Sequence, residues 1–215
     1  MKSLRLFSIV IMLALASLAC FSAGTQNSSS QILFSDDFSN SSKKWDQVTE
    51  ADRSTGYYNN AYRITVNSAD SHVWANPKPK DYTDTRIEVD AWKNGGPDDN
   101  DFGIICRSSG QGEFYYGVIS SDGFYGIYKV TSDGGESIGN DSMLESDAIL
   151  TGGVTNHLRF DCVGTTLSLY VNDTLLDQQT DNTYTAGNVG LMAGTYEING
   201  TDILFDNFFV YNPKP

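Results

Sequence analysis

His157-Leu-Arg-Phe-Asp-Cys-Val-Gly-Thr-Thr-Leu-Ser-Leu-Tyr-Val171 is the stretch that decides the fold. Leu158, Phe160 and Cys162 alternate with Arg159 and Asp161, and Leu167, Leu169 and Val171 alternate with Ser168 and Tyr170. Successive side chains of a strand point to opposite faces, so this period of two gives each segment one apolar side and one polar side. Gly164-Thr165 supplies the residues a short hairpin turn needs, which makes the two segments antiparallel neighbours. Strands with one oily face need a second layer to cover it, and a second sheet stacked face to face does so.

The same pattern fills the rest of the chain. Apolar and aromatic runs occur at 32–38, 61–66, 72–75, 86–92, 102–107, 113–120, 124–130, 157–163, 166–171, 175–179, 189–192 and 202–211, with Gly, Asn, Asp and Ser between them. Ser121-Asp122-Gly123 and Asn172-Asp173 fall where hairpins require positive φ. No long segment has helical periodicity. The fold class is all-β, a sandwich of two antiparallel sheets.

The N-terminus has a different character. Lys2 and Arg5 precede an apolar run at 6–18, shorter than the roughly 20 residues a membrane span requires. The proportions are those of a signal peptide over 1–19. Ala19-Cys20 at its end resembles the lipobox of bacterial lipoproteins, which implies cleavage before Cys20, lipidation of its thiol and anchoring on the outer side of a bacterial membrane. Ser17 stands where the best lipoboxes carry Leu, and ordinary cleavage with a secreted product is the alternative. Residues 20–31 are small and polar, with too little apolar surface to offset the entropy of ordering them, and read as a flexible tether. Residues 32–215 then form one domain.

Charge narrows the partners. The chain holds 27 acidic against 14 basic residues, a net charge of −13, and becomes more negative when Lys2 and Arg5 leave with the leader. Such a field repels polyanions and argues against nucleic acid or anionic lipid as a partner. Cys106 and Cys162 fall on predicted inward faces. They form either a disulfide, which would close a long loop worth about 4 kcal/mol, or two separate buried thiols. With His72 and His157 the only histidines, their spacing does not make a zinc site.

The opening Leu33-Phe-Ser-Asp-Asp-Phe-Ser-Asn-Ser-Ser-Lys-Lys-Trp45 and the closing Gly187-Asn-Val-Gly-Leu-Met-Ala-Gly194 with Ile203-Leu-Phe-Asp-Asn-Phe-Phe-Val-Tyr211 resemble the ends of exported concanavalin A-like, or laminin G-like, jelly-roll domains. That superfamily includes lectins, family 16 glycoside hydrolases and 3-keto-disaccharide hydrolase-type domains, so the resemblance implies a fold more than an activity.

The glycanase members carry E-x-D-x-x-E on one strand. This chain offers Glu88-Val-Asp90-Ala-Trp-Lys93, with lysine at the acid/base position. A lysine cannot act as the protonated carboxyl that assists the leaving group. The alternative is a polar outer strand face formed by Arg86, Glu88, Asp90 and Trp92. A third carboxyl such as Glu113 sharing a groove with Glu88 and Asp90 would favour an enzyme. Gly135-Glu-Ser137-Ile-Gly139 matches a nucleophile elbow only as a string, since no strand-to-helix turn is visible around it.

Resemblance to calcium-bearing jelly rolls implies a structural calcium between Asp37, with Asp36, and Asp206, with Asn207; solvated turns are the alternative. The loop Asp98-Asp-Asn-Asp101 is a further oxygen cluster. Aromatic residues crowd the middle strands: Trp74, Trp92, Tyr115, Tyr116, Phe124, Tyr125 and Tyr128. Some must face outward, where rings stack on the apolar faces of sugars. Tyr115, Tyr125 and Trp92 are the candidates for one sheet face, with Arg86, Glu88 and Asp90 bonding to hydroxyls. A parity shift of one residue would exchange the inward and outward sets. The resulting reading is a non-catalytic, lectin-like domain for a polysaccharide or other extracellular glycan. The alternatives are a glycoside hydrolase, either 3-keto-disaccharide hydrolase-like or a degenerate family 16 form, and an envelope module that binds a protein.

Overall fold

The alternating segments become sixteen strands in the computed structural model, which describes residues 31–213. The expected signal peptide, Cys20 and nearly all of the expected tether lie outside the described residues. In chain order the strands are β1 (Ile32–Asp36), β2 (Val48–Thr49), β3 (Arg53–Tyr58), β4 (Ala61–Val66), β5 (Ser71–Ala75), β6 (Thr85–Gly95), β7 (Asn100–Ser108) and β8 (Phe114–Ile119). There follow β9 (Phe124–Thr131), β10 (Gly134–Ser137), β11 (Leu144–Glu145), β12 (Asn156–Val163), β13 (Thr166–Val171), β14 (Thr174–Thr180), β15 (Asn188–Thr195) and β16 (Thr201–Tyr211). Helix among the described residues is confined to one 3₁₀ turn, Ser41–Lys43.

Two antiparallel sheets stack. The nine-stranded sheet runs β14-β13-β12-β6-β16-β4-β3-β2, with β1 also paired to β16. The seven-stranded sheet runs β10-β9-β8-β7-β15-β5, with β11 also on β9. The hairpin that decided the fold pairs Leu158 with Val171, Phe160 with Leu169 and Cys162 with Leu167. Its turn places Gly164 at φ 56°, and the next turn places Asn172 and Asp173 at φ 48° and 66°. These are left-handed conformations that Gly, Asn and Asp tolerate best.

The core fills the space between the sheets. Ile87, Val89, Leu158, Phe160, Leu169 and Phe205 from one sheet meet Phe102, Ile104, Tyr115, Ile127 and Leu191 from the other, all almost fully buried. Cys106 of β7 and Cys162 of β12 are bonded, with Cα atoms 6.8 Å apart, so one covalent link ties the two layers.

The terminal motifs are core material. Trp45 lies 5.4 Å from Phe38 and 5.0 Å from Phe208 between ring centroids, and Asp36 accepts a hydrogen bond from the Phe38 N–H at 2.9 Å. Asn207 takes φ 54° at the point where the β16 register shifts against β6, a backbone position suited to Asn. The motifs around Trp45 and Phe208 therefore fasten the two ends of the domain together, whereas Met192 and Gly194 of the Gly187–Gly194 motif belong to the groove described next.

Candidate ligand-binding groove

The seven-stranded sheet is apolar on both faces at its centre. In β8 all six residues are buried: Tyr115 and Ile119 turn into the sandwich, while Phe114, Tyr116 and Val118 turn outward. Outside the sheet they join Ile105 and Met192 in a second apolar cluster, against which Tyr128, Val130 and Met143 pack. An apolar face that no second sheet covers must be covered by loops or by a ligand.

Loops do part of this. The β10–β11 connection brings Asp141, Ser142 and Met143 over the face, and the β15–β16 connection brings Tyr196 and Glu197. Between them lies a groove of about 540 Å³ floored by Trp74, Phe114, Tyr116, Tyr128 and Met192, with His72 and Asp101 in its wall. Past Tyr128 and Tyr196 it continues into a hollow of about 630 Å³ lined by Phe124, Asp70, Asp99, Asp122 and Glu197.

The rings form a ladder. Trp74 meets Phe114 edge-on at 5.4 Å, Phe114 meets Tyr116 at 5.8 Å, and Tyr116 stacks on Tyr128 at 5.1 Å and 18°. Gly126 makes room for this stack, since a Cβ there would lie 2.5 Å from the Tyr128 ring. Burial, and then the charge of Asp101, push the Tyr116 and Tyr128 hydroxyls above their ordinary pKa, and the Tyr196 hydroxyl likewise. All three stay neutral and can donate or accept a hydrogen bond.

His72 and Asp101 form the polar centre of the wall. Both lie opposite Gly194 of β15, one from each neighbouring strand, and their side chains meet at 3.0 Å. A Cβ on residue 194 would fall 2.1 Å from Asp101 Oδ1 and 2.4 Å from His72 Cδ2, so glycine opens the slot in which they meet. Burial opposes a charge on His72, but the hydrogen bond and the negative charge of Asp101 outweigh it and hold the imidazole above its ordinary pKa. Asp101 Oδ1 is buried without a hydrogen-bond partner.

Only some of the residues read from sequence come together here. Tyr115 does not face outward: it is fully buried in the core, where its hydroxyl donates to Asp181 and accepts the Tyr184 N–H at 2.9 Å. Tyr125 also turns inward. The parity of β8 and β9 is the reverse of the one predicted, so Tyr116, Phe124 and Tyr128 are the outward rings. An apolar strand buried on both faces has no alternation by which to assign its sides.

Arg86, Glu88, Asp90 and Trp92 do share a face, but it is the outer face of the nine-stranded sheet, on the far side of the sandwich from the groove. There Asp90 bonds to His157 Nδ1 at 2.7 Å and to the Asn207 side chain at 2.9 Å, and Arg86 meets Asp161 at 3.3 Å. Lys93 pairs with Asp98, and Glu113 lies in the β7–β8 turn, away from Glu88 and Asp90. The joint site expected from Trp92, Tyr115, Tyr125, Arg86, Glu88 and Asp90 is thus divided between a core and an opposite surface. Ser137 ends an edge strand, and its hydroxyl bonds to the Asn140 carbonyl with no elbow around it.

The terminal strands do pair, as a calcium site between Asp37 and Asp206 requires. Asp37 is occupied by the Ser39 N–H at 3.1 Å and the Ser39 hydroxyl at 2.7 Å. The Asp206 carboxyl is raised by burial and then by the charges of Asp90 and Asp37. Among the described residues no group of three or more His, Cys, Asp or Glu side chains converges as a metal site.

No protein-family model matches the chain, and no curated protein matches it in sequence. Solved structures match it in fold. A carbohydrate-binding module from Bacillus subtilis aligns at a TM-score of 0.62 and 14% identity, over 78% of this chain and 95% of the module. A Bacillus licheniformis beta-glucanase aligns at 0.59 and 11% identity, over 84% of this chain and 98% of the glucanase. A Bacteroides ovatus mixed-linkage glucan GH16 protein in complex with a product aligns at 0.57 and 12% identity, over 83% of this chain and all of that one. The shared architecture is the concanavalin A-like jelly roll.

Proposed function

We propose that the protein binds a glycan in the groove on the outer face of its seven-stranded sheet and does not cleave it. The observation that carries this reading is the ring ladder from Trp74 to Tyr128 beside the partnerless oxygen of Asp101. Rings take the apolar faces of pyranoses, and an acceptor that the protein leaves without a donor gains from a ligand hydroxyl or other donor that displaces the atoms covering it. The fold likeness to a carbohydrate-binding module and to glucanases supports a carbohydrate ligand and does not divide binder from enzyme.

The division rests on carboxylates. A retaining glycosidase uses two carboxyl groups about 5 to 5.5 Å apart, one of them protonated. Here Asp101 is tied to His72, the further groove carboxylates Asp70, Asp99, Asp122, Asp141 and Glu197 stand on loops around the rings, and the residues that echo the glycanase motif, Glu88, Asp90 and Lys93, are engaged on the opposite sheet or at its end. Whether any two groove carboxylates act as such a pair is what the product assay decides. Binding of the purified protein to an array of extracellular polysaccharides, followed by incubation with every glycan retained, tests both halves. Retention with no new reducing ends is the expected result. Release of products would establish a hydrolase, and a well-folded sample that retains no glycan would favour a protein partner.

Export and lipidation at Cys20 belong to the same proposal, and a disulfide between the sheets suits an oxidising compartment. Metabolic labelling with a palmitate analogue should mark the wild-type chain and spare Cys20→Ser; equal labelling, or none in the wild type, removes the lipid anchor.

A further inference from the structure

The groove is acidic, and His72 is the one basic side chain among its lining residues. Asp70, Asp99, Asp122, Asp141 and Glu197 line it or its continuation, and neither Lys nor Arg lines either part. None of these five carboxylates makes a salt bridge among the described residues. On the other sheet the contrast is plain: Asp161 holds Arg86 and Arg159, and Asp202 holds Arg63 at 2.7 Å. Inside the groove wall the Asp101 side chain is 3% exposed, yet its Oδ1 finds no donor in the protein.

We infer that the glycan this groove prefers carries free amino groups, as in a de-N-acetylated hexosamine polymer, and that uronates and sulfated sugars are rejected. This rests on the groove being the glycan site. A protonated amine on a pyranose supplies what the site lacks: positive charge for the rim carboxylates, a strong donor for Asp101 Oδ1 once the ligand displaces the atoms that cover it, and a cation held near the ring of Tyr128. Carboxylates around a cleft with low-dielectric walls focus their field there, so a cationic ligand gains and an anionic one loses relative to a neutral isostere. N-acetylation removes the charge while keeping the ring, and therefore isolates this contribution.

The test compares binding of the purified protein, at low salt, to matched oligosaccharides with free and with acetylated amines on β-1,4-glucosamine and α-1,4-galactosamine backbones. Neutral glucan and galacturonate oligosaccharides serve as references. The expected result is at least a ten-fold preference for the free amine on the backbone that binds, shrinking as salt is raised, with galacturonate below detection. Asp101→Asn should reduce that preference at least five-fold. Because Asp101 is a buried residue, the exposed pair Asp99→Asn with Glu197→Gln is measured as well, and should weaken the amine form several-fold more than it weakens a neutral glucan. If acetylated or neutral glycans bind as tightly as the amine, the inference fails and glycan binding stands. If neutral glycans bind only with added calcium and lose binding to a chelator, the rim holds a metal, and the inference fails in that way instead. If no sugar in either series binds, the glycan-binding reading falls with it.

Discussion

Trp74 and Tyr116 do different work in one ladder, and their exposure separates them. Trp74 is 42% exposed and touches the fold chiefly through the edge of Phe114, whereas Tyr116 is 7% exposed and sits inside the outer apolar cluster. Trp74→Ala should cost the fold no more than about 1 kcal/mol and weaken glycan binding by about 1–3 kcal/mol, roughly five- to 150-fold. Tyr116→Ala should lose about 3 kcal/mol or more of stability, as large-to-small core changes do. Calorimetric titration with denaturation of both variants checks this; equal stability losses would place Trp74 in the core. His72 gives a test of charge. Its raised pKa means that its ion pair with Asp101 contributes stability below the ordinary histidine range and loses it as pH rises through the folded value. In Asp101→Asn burial acts unopposed, so the His72 ring should titrate below about 6.5 by NMR. A His72 that still titrates above that value would mean Asp101 is not the source of the shift. Asp181 has the opposite sign: burial resists its charge, but hydrogen bonds from Thr183, Tyr115 and Lys129 hold its carboxyl far below the usual range. Its contribution is present above about pH 4 and fades as pH falls through the folded value. Asp181→Asn should therefore be less stable than wild type at neutral pH by about 1–2 kcal/mol, with the gap closing in acid.

At the scale of the strand, β6 and β8 show what sequence conveys and what it withholds. β6 alternates cleanly, with Ile87, Val89 and Ala91 inward and Glu88, Asp90 and Trp92 on the polar side, and its outer face was legible. What the alternation did not carry was the sheet to which β6 belongs. That depends on β6 lying between β12 and β16, partners more than 60 residues away in the chain. β8 has the reverse problem, since six buried residues leave no polar side to mark its parity. Twelve strands were readable from apolar runs between turn residues. The missed ones have other causes: β3 begins Arg-Ser-Thr-Gly, β10 is an exposed Gly-Gly-Glu-Ser, and β2 and β11 have two residues each. The groove was legible in part, through the aromatic crowding around β8 and β9. The His72–Asp101 pair was not, because the two residues meet only across Gly194 of a third strand; the one local cue was His72 and Trp74 at i and i+2, on one face of β5. Because β6 faces away from the groove, Glu88→Gln and Asp90→Asn should each change glycan affinity less than two-fold. Asp90→Asn should still cost about 1 kcal/mol through its bonds to His157 and Asn207. A ten-fold affinity loss in either variant would move the ligand to the nine-stranded sheet.

For the molecule as a whole, the groove depends on how firmly one sheet is held against the other. β7 carries Cys106 on its inner side, bonded to Cys162 of β12, and Ile105 on its outer side beneath the ring ladder. The bond spans a sequence separation of 56, and in the chain-entropy account such a loop closure is worth about 4 kcal/mol. Replacing both cysteines with alanine should lower the Tm by about 10 °C for a domain of this size. Both sulfurs are fully buried, so the variant also loses packing that no exposed thiol could replace. The effect on binding distinguishes a staple from a local brace. If the bond merely limits the unfolded chain, the folded variant should bind its glycan as tightly as wild type well below its lowered Tm, and titration at a low and at a moderate temperature will show equal affinities at the low one. If affinity is already reduced there, the bond holds β7 in the position from which Ile105 and Asp101 support the groove, and the covalent link between the layers becomes part of the binding site.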